Sequence, residues 1–396
     1  MPATPVPEKA TNAVTPTVPL EKTVPLVQML AEDGSFTTDD RFAPYLAELD
    51  DAAKLRLYRN MVIPRRLDQE ATSLQRQGQL VLWAPGQGQE AGQAGLVAAL
   101  QDRDYIFPTY REHAMAYARG VDLGNVMHLF RGVAHGGWDA TEHNFHLYTL
   151  VLAAQSLHAT GYAMGIVRDQ QDWDAAKVAA EGTISVACFG DGASSEGDIH
   201  ESMVFASSYK LPIIFFLQNN QWAISVPADT QSRVPFALRA KGYGFEGIRF
   251  DGNDVLAAYA VGRYAAEQAR TGNGPVLLES YTYRMGAHTT ADDPTKYRTS
   301  DEEVDWSAKC PITRYETYLR AEGLLTDEGV AALAAEAEEA AMALRETALS
   351  AQAVPMDDYF HHVYAEPHAL IEQEKRWHQD YQASFEDAAD ETEGQA

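Results

Sequence analysis

Ile184-Ser185-Val186-Ala187-Cys188-Phe189-Gly190-Asp191-Gly192 is an apolar run closed by a glycine-bracketed aspartate. About 26 residues past that aspartate, the run Ile213-Ile214-Phe215-Phe216-Leu217-Gln218-Asn219-Asn220 ends in a carboxamide pair. Both runs have strand length and stop at turn-forming residues. A carboxylate and a carboxamide at the tips of neighbouring strands make a small oxygen-rich site suited to Mg²⁺. That ion takes octahedral oxygen ligands and is commonly shared with phosphate. The glycines leave backbone N–H groups open to an anion at the start of the following helix. A dinucleotide fingerprint is excluded by the spacing, and Asp191 would repel a bare pyrophosphate unless a cation lay between them.

Working outward, the pattern alternates. A helix over 198–209 separates the two runs, a helix over 254–271 follows, and a third apolar run covers 275–283. Tyr105-Ile106-Phe107 reads as a further short buried strand. Apolar strands joined by helices imply right-handed crossovers and a mostly parallel sheet covered by helices on both faces. Ligands of such α/β sheets sit beyond the carboxyl ends of the strands, where Asp191 and Asn220 fall. Helices are expected over 46–77, 89–100 and 155–166. The last is built on the small residues Ala159, Gly161, Ala163 and Gly165. The glycine- and histidine-rich stretch 132–146 has no period and reads as a loop. Beyond a polar loop after Thr290, helices are expected over 311–322 and 327–350, the latter with Thr326 as N-cap. The domain reading is a flexible arm over 1–25, an α/β domain over 26–310, a helical extension over 311–385 and an acidic tail over 386–396.

The 396 residues carry a formal net charge of −26, with 45% hydrophobic and 22% charged residues. That balance suits a globular protein and argues against nucleic acid or an anionic membrane as partner. An anionic cofactor would therefore need local cations. The two cysteines, Cys188 and Cys310, support neither a disulfide framework nor a zinc site. The first 25 residues lack both the apolar core of a secretory signal and arginine, and no run reaches the length of a membrane span. A cytoplasmic location is the expectation.

With these motifs placed, the resemblance is specific. GDG, about 26 residues, then NN is the thiamine diphosphate signature. Its context, FGDGASSEGDIHE with LPIIFFLQNNQWAIS, is similar to alpha subunits of the thiamine-dependent component of 2-oxo acid dehydrogenase complexes. Phe107-Pro108-Thr109-Tyr110-Arg111 and Tyr283-Arg284-Met285-Gly286-Ala287-His288-Thr289, with Asp292-Asp293-Pro294 and Tyr297-Arg298, extend the likeness. It implies the thiamine diphosphate-binding fold, with thiamine diphosphate and Mg²⁺ as cofactors. Asp191, Asn220 and the carbonyl of Trp222 would bind the metal. The N–H groups of Gly192 and Ala193, with Arg111 and Tyr110, would face the diphosphate. Leu150 and Leu152 would lie against the aminopyrimidine ring. His288 matches the active-site histidine, and His135 a second histidine of the cleft. Ser194 and Ser195 lack a triad context, and Glu196 suits a helix N-terminus better than a catalytic role.

The resemblance also implies a reaction: oxidative decarboxylation of a 2-oxo acid, with the acyl group passed to the lipoyl group of an acyltransferase component. Such chemistry needs a glutamate at the aminopyrimidine ring. No second thiamine-type half follows in this sequence. In the family, that glutamate comes from a beta subunit in an α2β2 heterotetramer. The stretch 287–294 and the compact segment 135–155 favour pyruvate as substrate. Residues 190–198 are equally at home in branched-chain 2-oxo acid enzymes, which remain the alternative.

Overall fold

The structure is a computed structural model describing residues 24–134, 136–361 and 363–393, with side chains described as far as residue 385. His135 and residues 1–23 of the expected arm lie outside the described residues.

Six parallel strands form the central sheet: β1 (Leu26–Val27), β2 (Tyr105–Phe107), β3 (Ser185–Gly190), β4 (Ile213–Asn219), β7 (Glu246–Asp251) and β8 (Val276–Tyr281). A two-stranded antiparallel ribbon, β5 (Trp222–Ala223) and β6 (Val226–Pro227), leaves the end of β4. The order across the sheet is β1-β7-β8-β4-β3-β2. Ser185 pairs with Ile213 and Gly190 with Gln218, so β3 and β4 run in step to their carboxyl ends. Asn219 pairs with Tyr281, which brings β8 to the same level.

The unbroken apolar runs follow from two buried faces. Val186, Cys188, Ile214, Phe216 and Leu278 enter one core with residues of the helices Asp51–Arg76, Glu90–Ala99, Val255–Arg270 and Asp327–Ser350. Their strand neighbours Ala187, Phe189, Ile213, Phe215 and Leu277 enter another, with Ala159 and Ala163 of helix Ala154–Asp169 and Ile199 and Met203 of helix Gly197–Ser208. The two-residue side-chain period thus splits one sequence run between two cores.

The expected helices and apolar strands are present within a few residues, and Thr326 caps Asp327–Ser350 by accepting from the Gly329 N–H. Glu196 is the N-cap of Gly197–Ser208. β1, β7 and several helices, among them His113–Ala118, Leu123–Arg131, Ser300–Ser307 and Ala369–Glu393, add to the expected set. Among the described residues no helix is long and apolar enough to cross a membrane.

Candidate active site

Beyond the carboxyl ends of β3 and β4 lies a cleft of about 360 Å³. Asp191, the first residue after β3, lines it with a side chain almost wholly buried. Burial pushes its carboxyl up to about 6, because a desolvated carboxylate lacks a compensating charge. A cation in the cleft would supply one. Its Oδ2 accepts a 3.1 Å hydrogen bond from Gln231 Nε2.

Asn220, just past β4, donates from Nδ2 to Gln89 Oε1 at 2.9 Å and accepts at Oδ1 from the Trp222 N–H at 3.3 Å. The Trp222 carbonyl accepts from Arg284 Nη1 at 3.0 Å, which leaves a second lone pair. Gln89 Nε2 is buried without a hydrogen-bond partner and belongs to a residue of the cleft wall. A buried unmet donor of this kind suits an anionic or water oxygen. Gly192 is required by close approach: a Cβ there would stand 2.7 Å from Ala223 Cβ on the ribbon. Among the described residues no three His, Cys, Asp or Glu side chains cluster to hold a metal. A cation here would be held by one carboxylate and neutral oxygens, completed by ligand oxygens and water. That donor set suits Mg²⁺ better than zinc.

Two guanidinium groups adjoin this oxygen-rich corner. Arg111 donates to Pro85 O at 2.5 Å and to His288 O at 2.7 Å, and its Nη2 lies 3.3 Å from His288 Nδ1. Arg284 Nη1 lies 3.3 Å from the same nitrogen, and its Nη2 donates to Ile224 O at 2.8 Å. Guanidinium nitrogens only donate, so Nδ1 of His288 is the acceptor and the ring proton sits on Nε2. Burial, reinforced by Arg111 and Arg284, holds the His288 ring down to about 3. At neutral pH it is an uncharged imidazole with an N–H to offer. Burial and the neighbouring Arg111 also lower Arg284, to about 10. The His288 backbone N–H donates to Asp292 Oδ2 at 2.9 Å, and the Tyr110 ring meets the imidazole edge-on at 6.3 Å.

Tyr110, Arg111, Leu152, Asp191, Gly192, Ala193, Asn220, Trp222 and His288 all line the one cleft. Leu150 is exposed and outside that lining. Leu152 follows it and precedes Ala153, a buried alanine at φ 71°. Sequence reading assigned no site role to Gln89, Gln231 or Arg284. The first two are single polar residues without a diagnostic spacing. Arg284 stands inside the stretch 283–289, and its place four residues before His288 was the available signal.

The dehydrogenase E1 component family model matches residues 58–355. The chain is 44% identical over 342 residues to a 3-methyl-2-oxobutanoate dehydrogenase subunit alpha of Mycobacterium tuberculosis, covering 86% of this chain and 89% of that one. It is 38% identical to a pyruvate dehydrogenase E1 component subunit alpha of Staphylococcus epidermidis, over 76% of this chain and 79% of the relative. A subunit of the same name from Acholeplasma laidlawii is 34% identical over 83% and 93%. With its family match spanning most of the chain and its relatives matched along most of their length, this chain belongs to the alpha subunits of the E1 component of 2-oxo acid dehydrogenases.

Proposed function

We propose that the cleft holds the diphosphate end of thiamine diphosphate through Mg²⁺, and that a beta subunit completes the active site. The observation that carries this reading is the convergence, in one cleft, of Asp191, Asn220 and Trp222 with Arg111 and His288. Asp191, Asn220 and Trp222 would hold the metal; the turn N–H groups of Gly192 and Ala193, with Arg111 and Tyr110, would hold the anion. Bound thiamine diphosphate supplies the electron sink for loss of CO₂ from a 2-oxo acid. His288, neutral and protonated on Nε2, would donate a hydrogen bond to an oxygen of the cofactor or substrate. Leu152 supplies apolar surface at the mouth of the cleft. In this reading the beta subunit brings the glutamate for the aminopyrimidine ring within an α2β2 assembly. A lipoyl-bearing acyltransferase takes the acyl group, and the cytoplasm is the compartment.

Pyruvate is the substrate favoured by the motif around His288. The 44% identity to a relative named for 3-methyl-2-oxobutanoate favours the branched-chain acid. Co-expressed alpha and beta chains, assayed for ferricyanide-linked decarboxylation of pyruvate against 3-methyl-2-oxobutanoate, decide between them by the larger kcat/KM. In the same assembly, Asp191→Asn is expected to lose most Mg²⁺-dependent thiamine diphosphate affinity in a calorimetric titration. Unchanged binding would remove Asp191 from the ligand set.

A further inference from the structure

We propose that Gln231 is a positioning residue that makes the Asp191 corner selective for Mg²⁺ by holding the carboxylate to one-oxygen coordination. The inference rests on the assignment of Asp191 as a metal ligand and goes beyond it by naming what fixes that ligand's geometry.

Gln231 ends the one-turn helix Ala228–Gln231, which follows the β5–β6 ribbon. The ribbon leaves the sheet at Trp222 and returns toward it at Pro227. Its base is closed by the Ala228 N–H donating to Gln221 O at 3.0 Å, and Gln221 Nε2 in turn donates to Thr282 O at 2.7 Å. One excursion of the chain therefore carries the Trp222 carbonyl at its start and the Gln231 amide at its end. From there Gln231 Nε2 reaches Asp191 Oδ2, 40 residues away in sequence, at 3.1 Å. Its Oε1 lies 3.9 Å from where a Gly192 side chain would begin. The amide is thus laid over the same turn that carries the aspartate.

The chemistry of the amide suits this role. A lysine or arginine would neutralise Asp191 and compete with the cation. A glutamine donates one hydrogen bond without charge to Oδ2, which fixes the plane of the carboxylate and biases it against offering both oxygens to one ion. Mg²⁺ requires near-ideal octahedral geometry, whereas Ca²⁺ accepts carboxylates with one or two oxygens in a larger, more flexible shell. Releasing Oδ2 would let the carboxylate swing or chelate, which penalises Mg²⁺ more than Ca²⁺. Loss of an outer hydrogen-bond partner of a ligand typically weakens metal binding by about 10- to 100-fold.

The test uses the chain assembled with its beta partner and supplied with thiamine diphosphate, titrated calorimetrically with Mg²⁺ and separately with Ca²⁺. Gln231→Met keeps the shape without the donor, and Gln231→Leu shortens it as well. Each is expected to weaken Mg²⁺ binding about 10- to 100-fold and Ca²⁺ binding much less. Mg²⁺ affinity within twofold of the parent, or equal losses for both ions, would overturn the proposal; the second pattern is what a merely loosened ribbon would give. Asp191→Asn separates the two levels of inference. If it keeps Mg²⁺ affinity, the ligand assignment itself fails. If it loses that affinity while Gln231→Met does not, only the role of Gln231 fails.

Discussion

At His288 the decisive fact is that both neighbours of Nδ1 are permanent donors. Arg111 and Arg284 each lie 3.3 Å from that nitrogen, so protonating it would place a third positive charge between two others. The ring is accordingly held down to about 3 from an ordinary 6.5, by burial first and then by the two guanidinium groups. Between those values the unfolded chain binds a proton at this ring and the folded chain does not. The linked contribution to stability is therefore intact above pH 6.5 and is lost as pH falls toward 3. Arg284→Gln removes one of the charges and should raise the His288 pKa, read from its ring resonances in an NMR pH titration of the selectively labelled chain. An unmoved titration would mean that Arg284 does not set the protonation state. His113 shows that neutral histidines here are not all functional. It is buried at about 3 as well, between Tyr148 OH and Ala84 O, and stacks on Trp83. A histidine's protonation state alone does not mark a site; His288 is distinguished by lining the cleft.

Among the elements, the turn after β3 and the β5–β6 ribbon form a fitted pair. Gly192→Ala keeps an ordinary backbone, since φ is −60°, but brings a methyl within 2.7 Å of Ala223 Cβ. Overpacking of this kind costs about 1–3 kcal/mol. Here it would push away the ribbon that carries the Trp222 carbonyl. Thermal denaturation should therefore show a midpoint lowered by no more than a few degrees, while calorimetry shows Mg²⁺-dependent thiamine diphosphate affinity down tenfold or more. A collapse in Tm with affinity retained would contradict the coupling. The elements that build this corner were legible because β3, β4 and β8 are buried on both faces and so read as continuous apolar runs. β7 was not, because its sequence Glu-Gly-Ile-Arg-Phe-Asp puts a charge at three of six positions. There Glu246 is taken up by Arg41 and Tyr264, and Arg249 by Glu279 and the Tyr281 ring. Those tertiary partners are invisible to a periodicity argument. The same holds inside the cleft. Asp191 and Asn220 announced themselves at strand ends, whereas Gln231 acquires its meaning only when the ribbon folds back on the turn.

For the molecule as a whole, the core ends earlier than the chain does. Ala337, Ala341, Leu344 and Ala348 of helix Asp327–Ser350 are buried in the main core. From residue 351 to 385, however, no described residue is buried. Helix Ala369–Glu393 packs on the short helix Met356–His361. It leaves Trp377, Tyr381 and Phe385 exposed one turn apart, with Leu370 exposed earlier on the same helix. Trp377 stacks on Tyr381 at 5.5 Å and Tyr381 meets Phe385 at 4.9 Å, so the stripe is ordered yet wet. A contiguous apolar stripe of this size marks an interaction surface rather than a stabilising one. The family match ends at residue 355, just before this segment. Ending the chain after Gln352 should therefore leave the Tm of the isolated alpha chain within about 2 °C, because no described residue beyond it is buried in the core. Co-purification with the beta chain is expected to weaken, because the stripe offers a partner an apolar face that the described residues of this chain leave exposed. A fall in Tm of several degrees would place the segment in the stability of the alpha chain itself. Full retention of the beta chain by the shortened form would show that the stripe serves something other than assembly.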